Sequence, residues 1–213
     1  MKKIGIVIPT LNEEENLKQL LPELKKILPH AQVIIMDDLS KDDTVEVAKQ
    51  FGAYVPKTYV EKGYGMSLIE GIWRAFAQFD CDLVIQMDAD HPAEAVKELF
   101  KVNADLVLGC EKGSRFTRGF ACWLARNFLG LKFKHPTCGL RLWTRKALQK
   151  LPWFLMKAKG FSIQIETLYY AKQQGLKIKE VLFEGRKHKK LPIRRIFEWL
   201  GTFFRLWITG GEW

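Results

Sequence analysis

The chain has 213 residues, 47% of them hydrophobic, with 34 basic side chains (Lys and Arg) against 24 acidic ones (Asp and Glu), for a formal charge of +10. That length and apolar content suit one large domain with a sizeable core and exclude a disordered or collagen-like chain. The charge is unevenly divided: residues 1–100 hold 11 basic and 17 acidic side chains, residues 101–213 hold 23 and 7. A basic surface of that size suits phosphate, whether in nucleic acid, anionic lipid or a diphosphate, with a merely solvated surface as the plainer alternative.

Met1-Lys2-Lys3 leads straight into a short apolar strand, Ile4 to Pro9, far shorter than the apolar core of a secretory signal. A second run, Val33 to Met36, follows after one helix of polar–apolar periodicity, which predicts a βαβ unit. Asn12 is expected to cap the first helix and Pro22 to kink or restart it; Ser40 is expected to cap a second helix over 42–51. An extended piece at Tyr54 and Val55, a helix from Met66 to Phe79 and a buried strand from Leu83 to Met87 come next. Then follow a helix opened by Pro92, a strand from Leu106 to Gly109 and a loop rich in Gly, Lys and Arg. Beyond residue 120 the pattern predicts a helix at 123–129, an extended stretch at 140–143, a helix at 162–174 and a strand at 178–183. Such alternation implies a doubly wound, mainly parallel α/β sheet with helices on both faces. No apolar run approaches the ~20 residues of a spanning helix. The four cysteines, Cys81, Cys110, Cys122 and Cys138, are too widely spaced for a metal knuckle or redox pair. They read as free thiols of a cytoplasmic protein.

Ligands of open parallel sheets bind beyond the carboxyl ends of the strands, so the residues just after each strand matter most. These are Pro9-Thr10-Leu11-Asn12-Glu13, Asp37-Asp38-Leu39-Ser40 and Asp88-Ala89-Asp90. Two acids at i and i+2 on a strand exit repel each other unless a cation lies between them, and hard oxygen donors favour Mg2+ or Mn2+. Neither GxGxxG after the first strand nor GxxxxGK[ST] occurs, so dinucleotide and P-loop cradles are excluded. The absence of a helix-turn-helix or RNP-like stretch argues against a nucleic-acid partner, and no GxSxG elbow supports a hydrolase.

Pro9 to Glu13, Asp37-Asp38-Leu39-Ser40-Lys41-Asp42-Asp43-Thr44, Met87 to Asp90 and Pro136-Thr137-Cys138-Gly139-Leu140-Arg141 come in the order and spacing of family 2 glycosyltransferases. Within that family the chain resembles the dolichyl-phosphate or polyprenyl-phosphate mannose and glucose synthases, over about residues 3–191. The resemblance implies a GT-A fold, a GDP- or UDP-linked sugar donor, a divalent metal at Asp88 and Asp90, and inversion at the anomeric carbon. It places Pro9, Glu13, Met36 and Asp38 around the nucleoside, with Ala89 allowing close approach beside the metal. Arg186 with Lys189 or Lys190 resembles the basic element that closes over the phosphates, and Arg115, or Arg118, carries the same role from the loop after the strand at 106–109. Gly160 to Glu166 resembles the segment beside the acceptor; the catalytic set is thus Asp90, Arg186 and Glu166. A polyprenyl phosphate needs no general base, whereas a hydroxyl acceptor of a glycan or glycolipid would use Glu166, His135 or a loop acid. A catalytically idle nucleotide-sugar-binding or membrane-adaptor protein is the alternative of another class.

Residues 1–191 are read as the GT-A domain and 192–213 as an amphipathic C-terminal helix. Ile196, Trp199, Leu200, Phe203 and Trp207 form an apolar stripe, and Arg195, Glu198, Thr202, Arg205 and Thr209 the polar face. With the basic cluster Arg186 to Lys190 before it, this helix is expected to lie on the anionic cytoplasmic face of a membrane, or on a membrane subunit, as a peripheral anchor. Packing on the protein's own core is the competing expectation.

Overall fold

The computed structural model describes residues 2–112, 123, 125–185 and 194–210. Six strands form one sheet: β1 (Ile4–Thr10), β2 (Gln32–Asp37), β3 (Leu83–Gln86), β4 (Leu106–Glu111), β5 (Arg141–Thr144) and β6 (Ile178–Phe183), in the order β2-β1-β3-β5-β4-β6. β5 is antiparallel to both its neighbours, and every other pair is parallel. Strands buried on both faces need apolar side chains at consecutive positions, and Gly5 to Thr10 of β1 are buried without a break.

Side chains alternate across the sheet and so feed two cores. On one face Ile6, Ile8 and Ile35 meet Leu17, Leu20 and Leu24 of α1 (Glu14–Ile27) and Val96 and Leu99 of α4 (Ala95–Leu99). On the other, Val7, Ile34 and Met36 meet Leu68 and Ile72 of α3 (Tyr64–Trp73), Leu168 of α6 (Ile163–Gln173), and Phe203 and Leu206 of α7 (Arg194–Thr209). The doubly wound architecture read from the sequence is the one observed. Two further helices, α2 (Thr44–Gln50) and α5 (Arg145–Lys150), are shorter.

Local departures have local causes. Pro22 lies inside α1 without ending it. Asn12 and Ser40 cap no helix: the Asn12 backbone N–H donates to the Ser40 hydroxyl at 2.8 Å, and the Asn12 side-chain Oδ1 accepts from the Lys41 backbone N–H at 2.8 Å. They tie the β1 and β2 exits together instead. The helix expected from Met66 begins at Tyr64, where Gly63 takes φ +81°, and continues past Trp73 as a π-turn over Arg74–Gln78. A β-carbon on Gly65 would lie 2.2 Å from the Ala158 carbonyl oxygen, so only glycine lets the loop before α6 press onto this helix.

The C-terminal helix departs most. Thr202 and Arg205, expected on its polar face, point inward: Thr202 is buried, and Arg205 pairs with the wholly buried Glu166. Phe203 and Leu206 join the main core, so α7 packs on the domain. Phe204, Trp207 and Ile208 face outward, at 57%, 54% and 71% exposure.

Candidate active site

The register of the sheet gathers the carboxylates at one edge. Thr10 lies opposite Asp37 at the paired exits of β1 and β2, and Val7 opposite Gln86 puts Asp88 just beyond them. β5 runs the other way, so its beginning reaches the same edge: Gln86 faces Arg141, which brings Gly139 against Asp88.

At the β2 exit, Asp37 accepts from the Thr10 hydroxyl at 3.2 Å and from the Ser40 amide at 3.0 Å, with the Ser40 hydroxyl donating to it as well. These bonds hold Leu39 at φ +69°, a left-handed conformation costly for a side chain of this kind. Asp38 turns inward and accepts the amides of Lys62 and Gly63 at 2.7 and 2.9 Å, fixing the approach to α3. Glu13 stands half-buried at the start of α1, its carboxylate taking the Asn16 amide and its own backbone N–H donating to Thr44.

At the β3 exit, Asp88, Asp90 and His91 each offer a ligand atom within 4.8 Å of the others. His91 is buried, and its Nδ1 accepts the Asp88 amide at 2.9 Å. A neutral imidazole with Nδ1 accepting carries its proton on Nε2, so in this arrangement His91 shapes the turn and the two carboxylates remain as donors. Hard oxygen donors of this kind fit Mg2+ or Mn2+. Asp88 Oδ1 also accepts from the Tyr64 hydroxyl at 2.6 Å. Burial, reinforced by the Asp88 charge, pushes the Tyr64 phenol well above its ordinary value, so it stays a donor. Beneath lies Arg141, wholly buried, donating to the carbonyls of Pro136, Cys138 and Gln164 and to the Thr167 hydroxyl. Burial lowers its pKa to about 10, which leaves it charged at neutral pH. It locks the Pro136–Arg141 loop onto α6.

The sequence-derived site therefore divides. Asp88 and Asp90 lie together at the β3 exit, Glu13 and Asp38 follow the neighbouring exits of β1 and β2, and Pro9 is buried in β1 opposite Met36. The side chains of Met36 and Ala89 are buried in the cores, Met36 against α3 and Ala89 in the same cluster as Met87 and Ala93. Glu166 is not open to an acceptor. Its carboxylate accepts from the amides of Lys157 and Ala158 and pairs with Arg205. Arg115, Arg118, Arg186, Lys189 and Lys190 lie outside the described residues. Tyr64, Gln164 and Arg141 were not singled out as site residues by sequence reasoning, although Arg141 closes a quoted motif and Gln164 lies within another.

A sheet of this order, with a DXD pair at its carboxyl edge, defines a glycosyltransferase of the GT-A type. The Glycosyl transferase family 2 pattern matches residues 5–110, from β1 through most of β4. The chain thus carries that family's pattern over just under half of its length. It is 29% identical over 199 residues to an undecaprenyl-phosphate mannosyltransferase of Micrococcus luteus, covering 84% of this chain and 82% of that one. It is 27% identical over 238 residues to a dolichol-phosphate mannosyltransferase of Pyrococcus furiosus, covering 99% of this chain and 65% of that longer protein. Among solved structures it resembles glucosyl-3-phosphoglycerate synthase from Mycobacterium tuberculosis. In complex with Mn2+, UDP and glucosyl-3-phosphoglycerate that enzyme matches with a TM-score of 0.71 and 26% identity, over 98% of this chain and 78% of that one. In complex with Mg2+ and UDP it matches with a TM-score of 0.73 and 24% identity, over 97% and 79%.

Proposed function

We propose that the protein moves a hexose from a GDP- or UDP-linked donor to a polyprenyl phosphate, with inversion, using Mg2+ or Mn2+ held by Asp88 and Asp90. The observation that carries this reading is the Asp88–Asp90 pair at the sheet's carboxyl edge, in a chain whose relatives are named as polyprenyl-phosphate mannosyltransferases. A divalent ion there offsets negative charge on the departing nucleoside diphosphate. Glu13 and Asp38 bound the nucleoside side. Arg115, Arg186 and Lys190, assigned by resemblance, take the phosphates; Gly185, just before Arg186, packs on Glu111 at the same edge.

The sealing of Glu166 favours an acceptor that needs no base. A phosphate oxygen, ionised near neutral pH, forms the new bond to the anomeric carbon as the bond to the diphosphate oxygen breaks. The electron pair leaves with the nucleotide, and no proton need move. Seating at the cytoplasmic face of a membrane suits such a substrate. No helix among the described residues is long and apolar enough to cross a bilayer. The outward face of α7 is instead aromatic, with Trp207 edge-on to Phe128 at 5.6 Å and Phe128 to Trp123 at 6.0 Å. Exposed aromatics of this kind sit well at a headgroup boundary.

A hydroxyl acceptor is the second reading, favoured by the likeness to a synthase whose name gives phosphoglycerate as acceptor. The test offers GDP-mannose and UDP-glucose with either undecaprenyl phosphate or 3-phosphoglycerate, with and without EDTA, and reads products by mass spectrometry. Chelator-sensitive glycosyl polyprenyl phosphate is expected. Transfer to phosphoglycerate alone would establish the second reading, and donor binding without turnover an idle sugar-nucleotide binder.

A further inference from the structure

Beneath Asp88 the core contains four polar side chains that the proposed chemistry does not use: Trp143 and Gln86, both fully buried, Gln164, almost so, and the half-buried Tyr64. Trp143 Nε1 lies 2.9 Å from Gln86 Oε1, Gln86 Nε2 lies 2.7 Å from Gln164 Oε1, Gln164 Nε2 lies 2.8 Å from the Tyr64 hydroxyl, and that hydroxyl lies 2.6 Å from Asp88 Oδ1. Each amide has two possible orientations, and the chain has a direction only if something at its ends selects one. Both ends do.

An indole N–H can only donate, so the atom of Gln86 beside it must be oxygen. The amide nitrogen of Gln86 then points at the Gly139 carbonyl, 3.2 Å away, which can only accept. This second fixed group agrees with the first. With Gln86 donating onward, Gln164 presents its oxygen to Gln86 and its nitrogen to Tyr64. The phenol oxygen therefore accepts from Gln164, and its single proton is directed to Asp88, which as a carboxylate can only accept. Every donor in the chain points the same way, from the indole to the acid, and hydrogen bonds so aligned strengthen one another.

We propose that Tyr64 is a positioning residue for the Asp88 carboxylate, its proton aimed by this one-way chain from Trp143. The inference rests on the reading of Asp88 and Asp90 as metal ligands. The phenol fixes the rotation of the carboxylate through Oδ1, and Gly139 confines the other oxygen: a β-carbon there would lie 2.4 Å from Oδ2. Tyr64 is itself held flat on Phe161, ring centroids 4.0 Å apart, at the start of α3, where the Gly65 amide donates to Lys159. The acid is thus oriented before any ion arrives. Partners of this kind commonly account for a 10- to 100-fold range in metal affinity.

The experiment measures Mn2+ binding to the purified full chain, without donor or acceptor, by the loss of the free-ion EPR signal. Three variants are compared with the wild type: Tyr64→Phe, which keeps the ring stack and removes the proton; Gln164→Met, which keeps the phenol and removes the group that aims it; and Asp90→Asn, which removes a ligand. The expected order is a loss of Mn2+ affinity of about 10- to 100-fold for Tyr64→Phe and a smaller, several-fold loss for Gln164→Met. Each leaves one buried amide N–H without its acceptor, so the metal-free chain is expected to melt a few degrees lower yet stay folded at the assay temperature. Gln164→Met, at the more buried position, is expected to lose at least as much stability as Tyr64→Phe while losing less Mn2+ affinity, an order that a merely structural role would not give. Wild-type Mn2+ affinity in Tyr64→Phe overturns the inference, as does a larger loss in Gln164→Met than in Tyr64→Phe. If Tyr64→Phe does not fold, unchanged affinity in Gln164→Met overturns it. Asp90→Asn separates the two failures: if it leaves Mn2+ binding intact, the metal reading itself falls, whereas a loss there beside an unaffected Tyr64→Phe removes only the role of Tyr64.

Discussion

Asp38 and Glu166 solve the same problem at different depths. Each is a carboxylate taken out of water, and each grips two consecutive backbone amides ahead of a helix: Lys62 and Gly63 before α3, Lys157 and Ala158 before α6. Asp38 keeps a little exposure and takes backbone amides 24 and 25 residues on, with no ion pair to it among the described residues. Glu166 has none and also draws in Arg205 from α7, 39 residues later. A nearly buried acid can be completed by the backbone beside it, while a fully buried one needs a counter-charge. The loop before α6 therefore depends on the seat of the C-terminal helix, and the approach to α3 does not. Asp88 and Asp90 form a third group, acids kept half-buried at the edge, where an ion rather than a loop is their proposed partner.

Arg205→Ala carries the largest expected effect. Removing one partner of a buried pair leaves the other charge uncompensated, a cost of about 3–5 kcal/mol in denaturant unfolding. Adding Glu166→Gln should recover part of it, and a loss below about 1 kcal/mol would mean that Glu166 is completed without α7. Next comes Asp90→Asn, expected to lower transfer at least about 100-fold, close to 2.7 kcal/mol of barrier, with unfolding unchanged. A variant that lost stability instead would place Asp90 with the loop-holding acids. Asp38→Asn turns an amide NH2 toward one of its two backbone donors and should cost about 1–3 kcal/mol, measured by the same unfolding titration. If it cost as much as Arg205→Ala, the distinction between completion by backbone amides and completion by a counter-charge would fail. The smallest effect is expected from Phe204→Ser with Trp207→Ser. Stability should fall by no more than about 1–2 kcal/mol, since both side chains are more than half exposed and Trp207 gives up one edge contact with Phe128, while sedimentation with anionic vesicles should fall.

The sequence made the strand exits legible because acids follow directly on short runs of Ile and Val. The exits of β2 and β3, with Asp37, Asp38, Asp88 and Asp90 at or just after them, were visible for that reason. Met36 and Ala89 bury their side chains in the two cores, which their apolar character makes the ordinary outcome even beside an acid. Glu166 was opaque for a different reason. Residues 163–171 of α6 are all buried, so no polar face marks which way a given side chain points. The same holds for α7, where the counter-charge demanded by Glu166 turns a position of the expected polar face inward. Tyr64, Gln86, Trp143 and Gln164 gave no signal, since the contacts joining them bridge separations of 57 to 100 residues. Only the folded sheet brings them into line.

The reversal of β5 has a consequence for how such a molecule can diversify. A parallel strand leaves the ligand edge through its last residue, but an antiparallel one enters there. The chain therefore departs from this edge at Lys112, after β4, and returns to it at Gly139, before β5, with both ends anchored in the same sheet. The Lys112 amide is bonded to Phe183 and the Gly109 amide to Leu140, so the two moorings are fixed independently of what lies between them. Between the moorings the described part is anchored as well, with Ala125, Leu129 and Leu131 in the main core and the carbonyls of Pro136 and Cys138 on Arg141. Variation suited to another acceptor is therefore confined to side chains of this stretch that face solvent, such as Trp123 and Phe128, while the acids after β3 keep their places.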